Sequence, residues 1–119
     1  MMSFVRIYTD IDGKSKFEDF KVPFEFGDAL DVGTYKGKTS WLEFRQQPPG
    51  FVQNWHRAPR RQYVITLTGE AELEAGSGER RRFGPGDVLL ADDLTGDGHV
   101  TKVISDVARA SIAVPIEEE

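Results

Sequence analysis

Polar and apolar residues alternate along this chain in short runs, without the sustained period of 3.6 residues that marks helices. The runs with strand character lie at 5–8, 41–46, 63–67, 71–74, 88–91, 100–104 and 108–114. Turn-forming residues separate them at 47–50, 68–69, 76–78, 84–86 and 96–98. Many short strands divided by glycine-rich turns are typical of antiparallel sandwiches and barrels. The pattern therefore predicts an all-β domain of the jelly-roll type.

The run at 63–67 predicts which side chains face the interior. If Gln62 points inward, Val64 and Thr66 follow it, because successive side chains of a strand point to opposite faces. The opposite face then carries Tyr63, Ile65 and Leu67. Three apolar residues on an outer face indicate that something covers it. We expect a homodimer there, and the alternative is cover from the aromatic residues at 17–26 of the same chain.

A charged hairpin is predicted around the loop at 76–78. A three-residue loop places Glu74 opposite Arg80 and Glu72 opposite Arg82, which pairs opposite charges across the strands. This arrangement explains the basic run at 80–82 as one side of a solvated, charge-paired surface.

Composition narrows the class of protein. The chain has 119 residues, enough for one domain with a modest core, and it has no cysteine for disulfides or thiolate chemistry. The net charge of -5 argues against a nucleic-acid partner, which needs a positive field. No apolar stretch is long enough to predict a membrane span or a signal peptide. We therefore expect a cytoplasmic protein that does not bind membranes.

The chain has two histidines, and both adjoin strand patterns marked by glycines. Around the first, Gly50 precedes His56 by five intervening residues and Gly69 closes the following strand. This layout resembles the first motif of the cupin superfamily, which runs Gly, five residues, His-x-His, three or four residues, Glu, six residues, Gly. The chain departs from that motif at Ala58, the second histidine position, and at Gln62, the glutamate position.

The second histidine follows a motif similar to the other half of the cupin pattern. The turn at 85–87 leads through an apolar strand to His99, although the gap is slightly longer than in the family and its trailing Asn is absent. The resemblance covers about residues 40–114. It implies a cupin-type antiparallel jelly-roll barrel, the double-stranded β-helix, preceded by an N-terminal strand and arm. The whole chain, 1–119, is then one cupin domain with an arm at 1–39, the barrel motifs at 40–114 and a frayed acidic tail at 115–119.

The resemblance also implies a metal site. A conventional cupin holds its ion with three histidines and one glutamate, and the matching positions here are His56, Gln62 and His99. Imidazoles on neighbouring strands can converge on zinc, nickel, iron or manganese. Because Gln62 offers a neutral oxygen and one imidazole is missing, we expect weak metal binding or none.

An incomplete ligand shell leaves room for an anionic substrate. A substrate carboxylate would complete it, and the candidate guanidinium partners are Arg45, Arg57, Arg60 and Arg61. The acidic loop at 92–98 is expected to lie at the rim, where Asp93 or Asp97 orients His99 through its second ring nitrogen. Asp93 also counts among the candidate substrate-binding residues.

Three classes of function follow. The first is a metal-dependent enzyme acting on a small polar or carboxylated molecule. The second is a non-catalytic module that binds or senses such a molecule in the same cavity. The third is a dimeric scaffold with a degenerate site. Fold alone does not separate them, because the cupin superfamily includes dioxygenases, isomerases, decarboxylases, sensors and storage proteins.

Overall fold

The structure, a computed structural model, describes residues 3–27 and 32–117. These residues form twelve strands and no helix. In chain order the strands are β1 Ser3–Thr9, β2 Ser15–Asp19, β3 Glu25–Phe26, β4 Gly33–Thr34, β5 Glu43–Gln47, β6 Val52–His56, β7 Gln62–Thr68, β8 Ala71–Ala75, β9 Arg80–Phe83, β10 Asp87–Asp92, β11 His99–Val103 and β12 Arg109–Pro115. The predicted all-β class is confirmed. Within the described ranges, no helix is long and apolar enough to cross a membrane.

The strands form two main sheets. One has six strands in the order β2-β1-β10-β7-β12-β5, and the other has four in the order β6-β11-β8-β9. The short strands β3 and β4 pair only with each other. Every described pairing is antiparallel except that of β1 with β10, which is parallel. The strands β5 to β12, which lie in the range predicted to form the barrel, pair in the antiparallel sense as expected. The parallel pair involves β1, the predicted N-terminal strand.

The hydrophobic core lies between the inner faces of these sheets. Ile7 of β1 and Leu73 of β8 are almost completely buried, and Phe17 of β2 packs against Phe83 of β9 with ring centroids 6.4 Å apart. Phe17, predicted to belong to a covering aromatic arm, is thus part of the core. Because β2 is the edge strand of the six-stranded sheet and hydrogen-bonds to β1, this phenylalanine reaches the facing sheet.

The predicted alternation of β7 is confirmed. Gln62, Val64 and Thr66 are buried on the inner face, whereas Leu67 on the outer face is exposed. Residues of the N-terminal segment cover part of that outer face, where Phe4 contacts Phe20 and Phe24 with ring centroids 5.6 and 6.5 Å apart. The N-terminal segment does not cover the edge strand β5, where Phe44 is 74% exposed. Homodimerisation stays a prediction.

The charged hairpin also has the predicted register. Glu74 pairs with Arg80 and Glu72 with Arg82 across β8 and β9. Between them, Arg81 lies opposite the buried Leu73 and donates two hydrogen bonds, of 3.0 and 2.9 Å, to the Asp19 carboxylate on β2. This ion pair links the edges of the two sheets.

The chain end returns to the body of the protein. The backbone N–H of Glu117 donates to the carbonyl oxygen of Lys38 at 2.8 Å. The rest of the predicted acidic tail, Glu118 and Glu119, lies outside the described residues. The division into an arm at 1–39 and barrel motifs at 40–114 stays a prediction, although β1 and β2 are hydrogen-bonded into the six-stranded sheet.

Candidate functional site

The two histidines lie side by side on neighbouring strands. His56 is the last residue of β6, His99 is the first residue of β11, and the two are direct partners in the strand register. Their ring centroids are 4.4 Å apart and the rings are tilted by 58°. The structure therefore brings together the two imidazoles that the sequence singles out, although they are 43 positions apart in the chain.

Each imidazole is held through its Nδ1 atom. His56 Nδ1 lies 2.8 Å from the backbone oxygen of Asn54, and His99 Nδ1 lies 2.5 Å from Oδ2 of Asp93. Both oxygens are acceptors, so we assign the proton of each ring to Nδ1. In the neutral rings the Nε2 lone pair is then left for a ligand, a metal or a proton.

Asp93 stands behind His99. Its side chain is fully buried (0% exposed), and its Oδ1 atom has no hydrogen-bond partner among the described residues. The backbone oxygen of Asp93 accepts the N–H of Ala58 at 3.2 Å, which ties the start of the acidic loop to the segment after His56. Of the two aspartates predicted to orient His99, it is Asp93 that makes the contact. It holds the ring and does not line the space in front of it.

A glycine permits the close approach of the two histidine strands. Gly98 has φ of +77°, and a Cβ added there would lie 2.0 Å from the backbone oxygen of His56. Any side chain at this position would push β6 away from β11. The left-handed backbone also favours glycine on steric grounds.

A cavity of about 240 Å³ opens between the sheets in front of the histidines. At about 30 Å³ for each molecule of liquid water, this volume corresponds to about eight waters. Side chains of both sheets line it: Arg45, Gln47, Gln53, His56, Ala58, Pro59, Gln62, Val64, Leu73, Leu89, Ala91, His99, Thr101 and Arg109. None of these described lining residues is acidic.

Gln62 lies in the cavity wall as predicted, but its oxygen is already engaged. Oε1 accepts a hydrogen bond from Nη1 of Arg60 at 3.2 Å, and the Arg60 guanidinium in turn lies 4.8 Å from the centre of the Trp41 ring. A metal at this oxygen would lie close to a fixed positive charge. Gln62 is therefore a poorer ligand than its position alone suggests.

Of the other predicted arginines, the structure places one in the cavity wall and two outside it. Arg45 lines the cavity, where its guanidinium also pairs with Glu43. Arg57 lines a separate surface depression that shares His56, Ala58 and Pro59 with the cavity. Arg61 pairs with Asp92 at 3.5 Å. Neither Arg57 nor Arg61 is among the residues that line the cavity.

A buried arginine that sequence reasoning missed lies in the same cavity. Arg109, the first residue of β12, is only 5% exposed. Its Nη1 donates to Oε1 of Gln47 at 3.3 Å and its Nη2 donates to Oγ1 of Thr66 at 3.0 Å. Burial, assisted by the nearby charge of Arg45, lowers the pKa of Arg109 from its ordinary value to about 10. The side chain is therefore charged at neutral pH.

The environment keeps His56 neutral. Burial lowers the pKa of this imidazole below its usual 6.5, and the neighbouring charges of His99 and Arg45 act in the same direction. A neutral ring is the form that binds metals and accepts protons.

The described residues contain no cluster of three or more histidine, cysteine, aspartate or glutamate side chains arranged for a metal. The possible metal ligands in the site are two imidazoles and one amide.

No model of a known protein family matches this chain. A search of curated proteins likewise gave no match. The cupin resemblance stays a prediction that depends on the motif residues.

Proposed function

We propose that this chain is a cupin-type jelly-roll barrel that binds a small polar molecule in its cavity and acts on it as an enzyme. The order of its strands supports this reading of the fold. Strands β5 to β12 divide into the sets β5-β12-β7-β10 and β6-β11-β8-β9, as in a jelly roll of eight strands. The His56 and His99 rings are the reactive groups at one wall of the cavity.

The buried carboxylate behind His99 is the observation that carries this proposal. Burying an aspartate is unfavourable unless a partner compensates it, and the described partner of Asp93 is a ring that lines the cavity. A carboxylate on Nδ1 fixes the ring orientation, makes Nε2 more basic and stabilises a positive charge on the imidazole. His99 is thereby suited to take a proton from a bound molecule or to ligate a metal.

The resemblance implies a divalent transition metal: zinc, nickel, iron or manganese. The histidine pair fits such an ion but supplies only two ligands. Nε2 of His56 and of His99 would hold it, with the Gln62 oxygen as a weak third ligand. Such an ion supplies Lewis acidity toward a bound oxygen. Because the Gln62 oxygen already accepts a bond from Arg60, we expect weak affinity until a bound molecule adds an oxygen of its own.

A non-catalytic binding or sensing module is the second candidate. The same incomplete ligand set favours it, since a cavity can keep its selectivity for a molecule after losing the groups that do chemistry. In that case Asp93 and His99 act as a rigid hydrogen-bonding pair for the ligand.

Metal analysis of purified protein separates these candidates. We would compare the wild type, His56→Ala and His99→Ala by elemental analysis and by zinc titration. Gln46→Ala, at an exposed position on the edge strand β5, serves as the control. Zinc binding in the titration that both histidine variants lose, and the control keeps, supports the enzyme. Metal-free protein that still binds small polar molecules supports the sensing module. Protein that binds neither metal nor any small molecule overturns both.

A further inference from the structure

The guanidinium of Arg109 is a buried cation whose described hydrogen-bond partners are both neutral. Gln47 and Thr66 accept its two hydrogen bonds, and no aspartate or glutamate in the described ranges forms an ion pair with it. Its Nε atom is buried without a partner. A guanidinium has five N–H donors, so donors remain for a ligand.

Burying such a cation is unfavourable for the ligand-free protein. A buried charge is normally paired, because the low-dielectric interior does not replace the water it loses. Strongly perturbed ionisable groups that line a cavity are more often functional than structural. The position of Arg109 thus points to an anion that is supplied from outside the chain.

The charge of the whole cavity points the same way. Although the chain has a net charge of -5, the described cavity wall contains Arg45 and Arg109 and no acidic side chain. Side chains two residues apart on a strand share a face, so Arg45 and Gln47 of β5 both face the inner side, with Gln47 directly opposite Arg109 and Arg45 opposite Ser111. Arg45 is paired with Glu43, so Arg109 gives its end of the cavity an excess of positive charge, which attracts anions.

We propose that the Arg109 end of the cavity is an anion subsite that binds the carboxylate of a small organic acid. This inference rests on the proposed function and names the class of its substrate. A planar guanidinium matches the two oxygens of a carboxylate with two parallel hydrogen bonds. Because Arg45 is already paired with Glu43, one guanidinium is left for the ligand, and its single charge matches a carboxylate better than a phosphate dianion. A cavity of about 240 Å³ suits an acid of a few carbons.

The subsite also orients the molecule. Arg109 and the two histidines line one small cavity, so a carboxylate held at Arg109 directs the rest of the acid toward the imidazoles. Arg109 is then the residue that selects the ligand by charge, while His56 and His99 face the part of it that reacts or reports binding.

Calorimetric titration tests the subsite with defined probes. Malonate, succinate, inorganic phosphate and the neutral polyol glycerol would be titrated into the wild type, Arg109→Met and Arg109→Lys, with Arg80→Met as the control. Arg80 is an exposed arginine on β9, away from the cavity. We expect the dicarboxylates to bind the wild type and the control equally. Because hydrogen bonds to a charged group are worth about 1.5–3 kcal/mol, Arg109→Met should raise the dissociation constant at least about tenfold.

Arg109→Lys keeps the charge without the planar fork, so its affinity should lie between those of the wild type and Arg109→Met. Equal dicarboxylate binding by the wild type and Arg109→Met would overturn the subsite, and so would tighter binding of phosphate than of either dicarboxylate. If zinc or glycerol binds but no carboxylate does, the subsite is wrong and the proposed function stands. If no probe and no metal binds, the proposed function fails as well.

Discussion

Arg109→Met should make the ligand-free protein more stable. Methionine keeps an unbranched apolar stem in the buried space and removes the charge. Burial lowers the pKa of Arg109, so its folded-state pKa lies below its value in the unfolded chain. The protonated side chain therefore destabilises the folded protein at every pH below about 10. This penalty declines only as the pH rises from about 10 to 12.5.

The size of the effect follows from the same pKa. The decrease of the Arg109 pKa from its ordinary value to about 10 corresponds to about 3 kcal/mol at pH 7, because each tenfold change in proton affinity is worth about 1.4 kcal/mol. The charge of the guanidinium is already counted in that value, so the lost hydrogen bonds to Gln47 and Thr66 are counted as bonds between uncharged groups, at about 1 kcal/mol each. We therefore expect a net gain of about 1 kcal/mol in the free energy of unfolding.

Urea denaturation at pH 7 in a buffer without carboxylates measures this gain. The midpoint should rise with an unchanged slope, because the exposed surface on unfolding stays the same. With a dicarboxylate at about a hundred times the dissociation constant of the wild type, the wild type should gain about 2.7 kcal/mol and a variant that binds about tenfold more weakly about 1.4 kcal/mol, which removes the stability advantage of the variant. A loss of stability in ligand-free Arg109→Met would refute the reasoning, since it would mean that the arginine stabilises the fold by itself.

Three other perturbations examine the histidine pair. Gly98→Ala should lower the free energy of unfolding by more than about 2 kcal/mol, because its Cβ meets the backbone of His56. Gly78→Ala, at a similar φ of +91° but in open space, should lose only about 1 kcal/mol, and equal losses in thermal melts would contradict the proposed clash. Asp93→Asn should weaken zinc binding at the pair by about tenfold or more, and unchanged affinity would show that this aspartate does not position the ring. In NMR titrations His56 should protonate below pH 6.5. The contribution of this residue to stability is therefore present above pH 6.5 and declines as the pH falls below it. A His56 titration midpoint at or above pH 6.5 would be contrary evidence.

Local patterns predicted much of this site. The alternation in β7 placed Gln62 inward, and the loop length of the β8–β9 hairpin predicted the pairing of Glu74 with Arg80. The glycine-marked spacing around His56 and His99 anticipated that the two rings meet. The first two features depend on residues a few positions apart, where strand periodicity and turn geometry decide the outcome. The meeting of the two rings, which are 43 positions apart, was expected from the resemblance.

What the sequence did not indicate depends on pairings between distant segments. The parallel contact of β1 with β10 joins positions more than eighty residues apart, and nothing local specifies it. Arg109 lies in a run that was interpreted as an apolar strand. Its signal was present in the alternation: Arg109 and Ser111 share the inner face, while Ile112 lies on the outer one. Two polar residues facing inward on one strand indicate a polar cavity rather than a packed core.

The space and the charge of the cavity both depend on two residues of its wall, Ala58 and Gln62. The alanine leaves space in front of the histidine pair, and the glutamine carries no negative charge to balance a metal or an arginine. With Arg109 buried and no acid in the described wall, the balance of charge is incomplete without a ligand. An acid of small size supplies both missing elements, because it fills the space and neutralises the guanidinium.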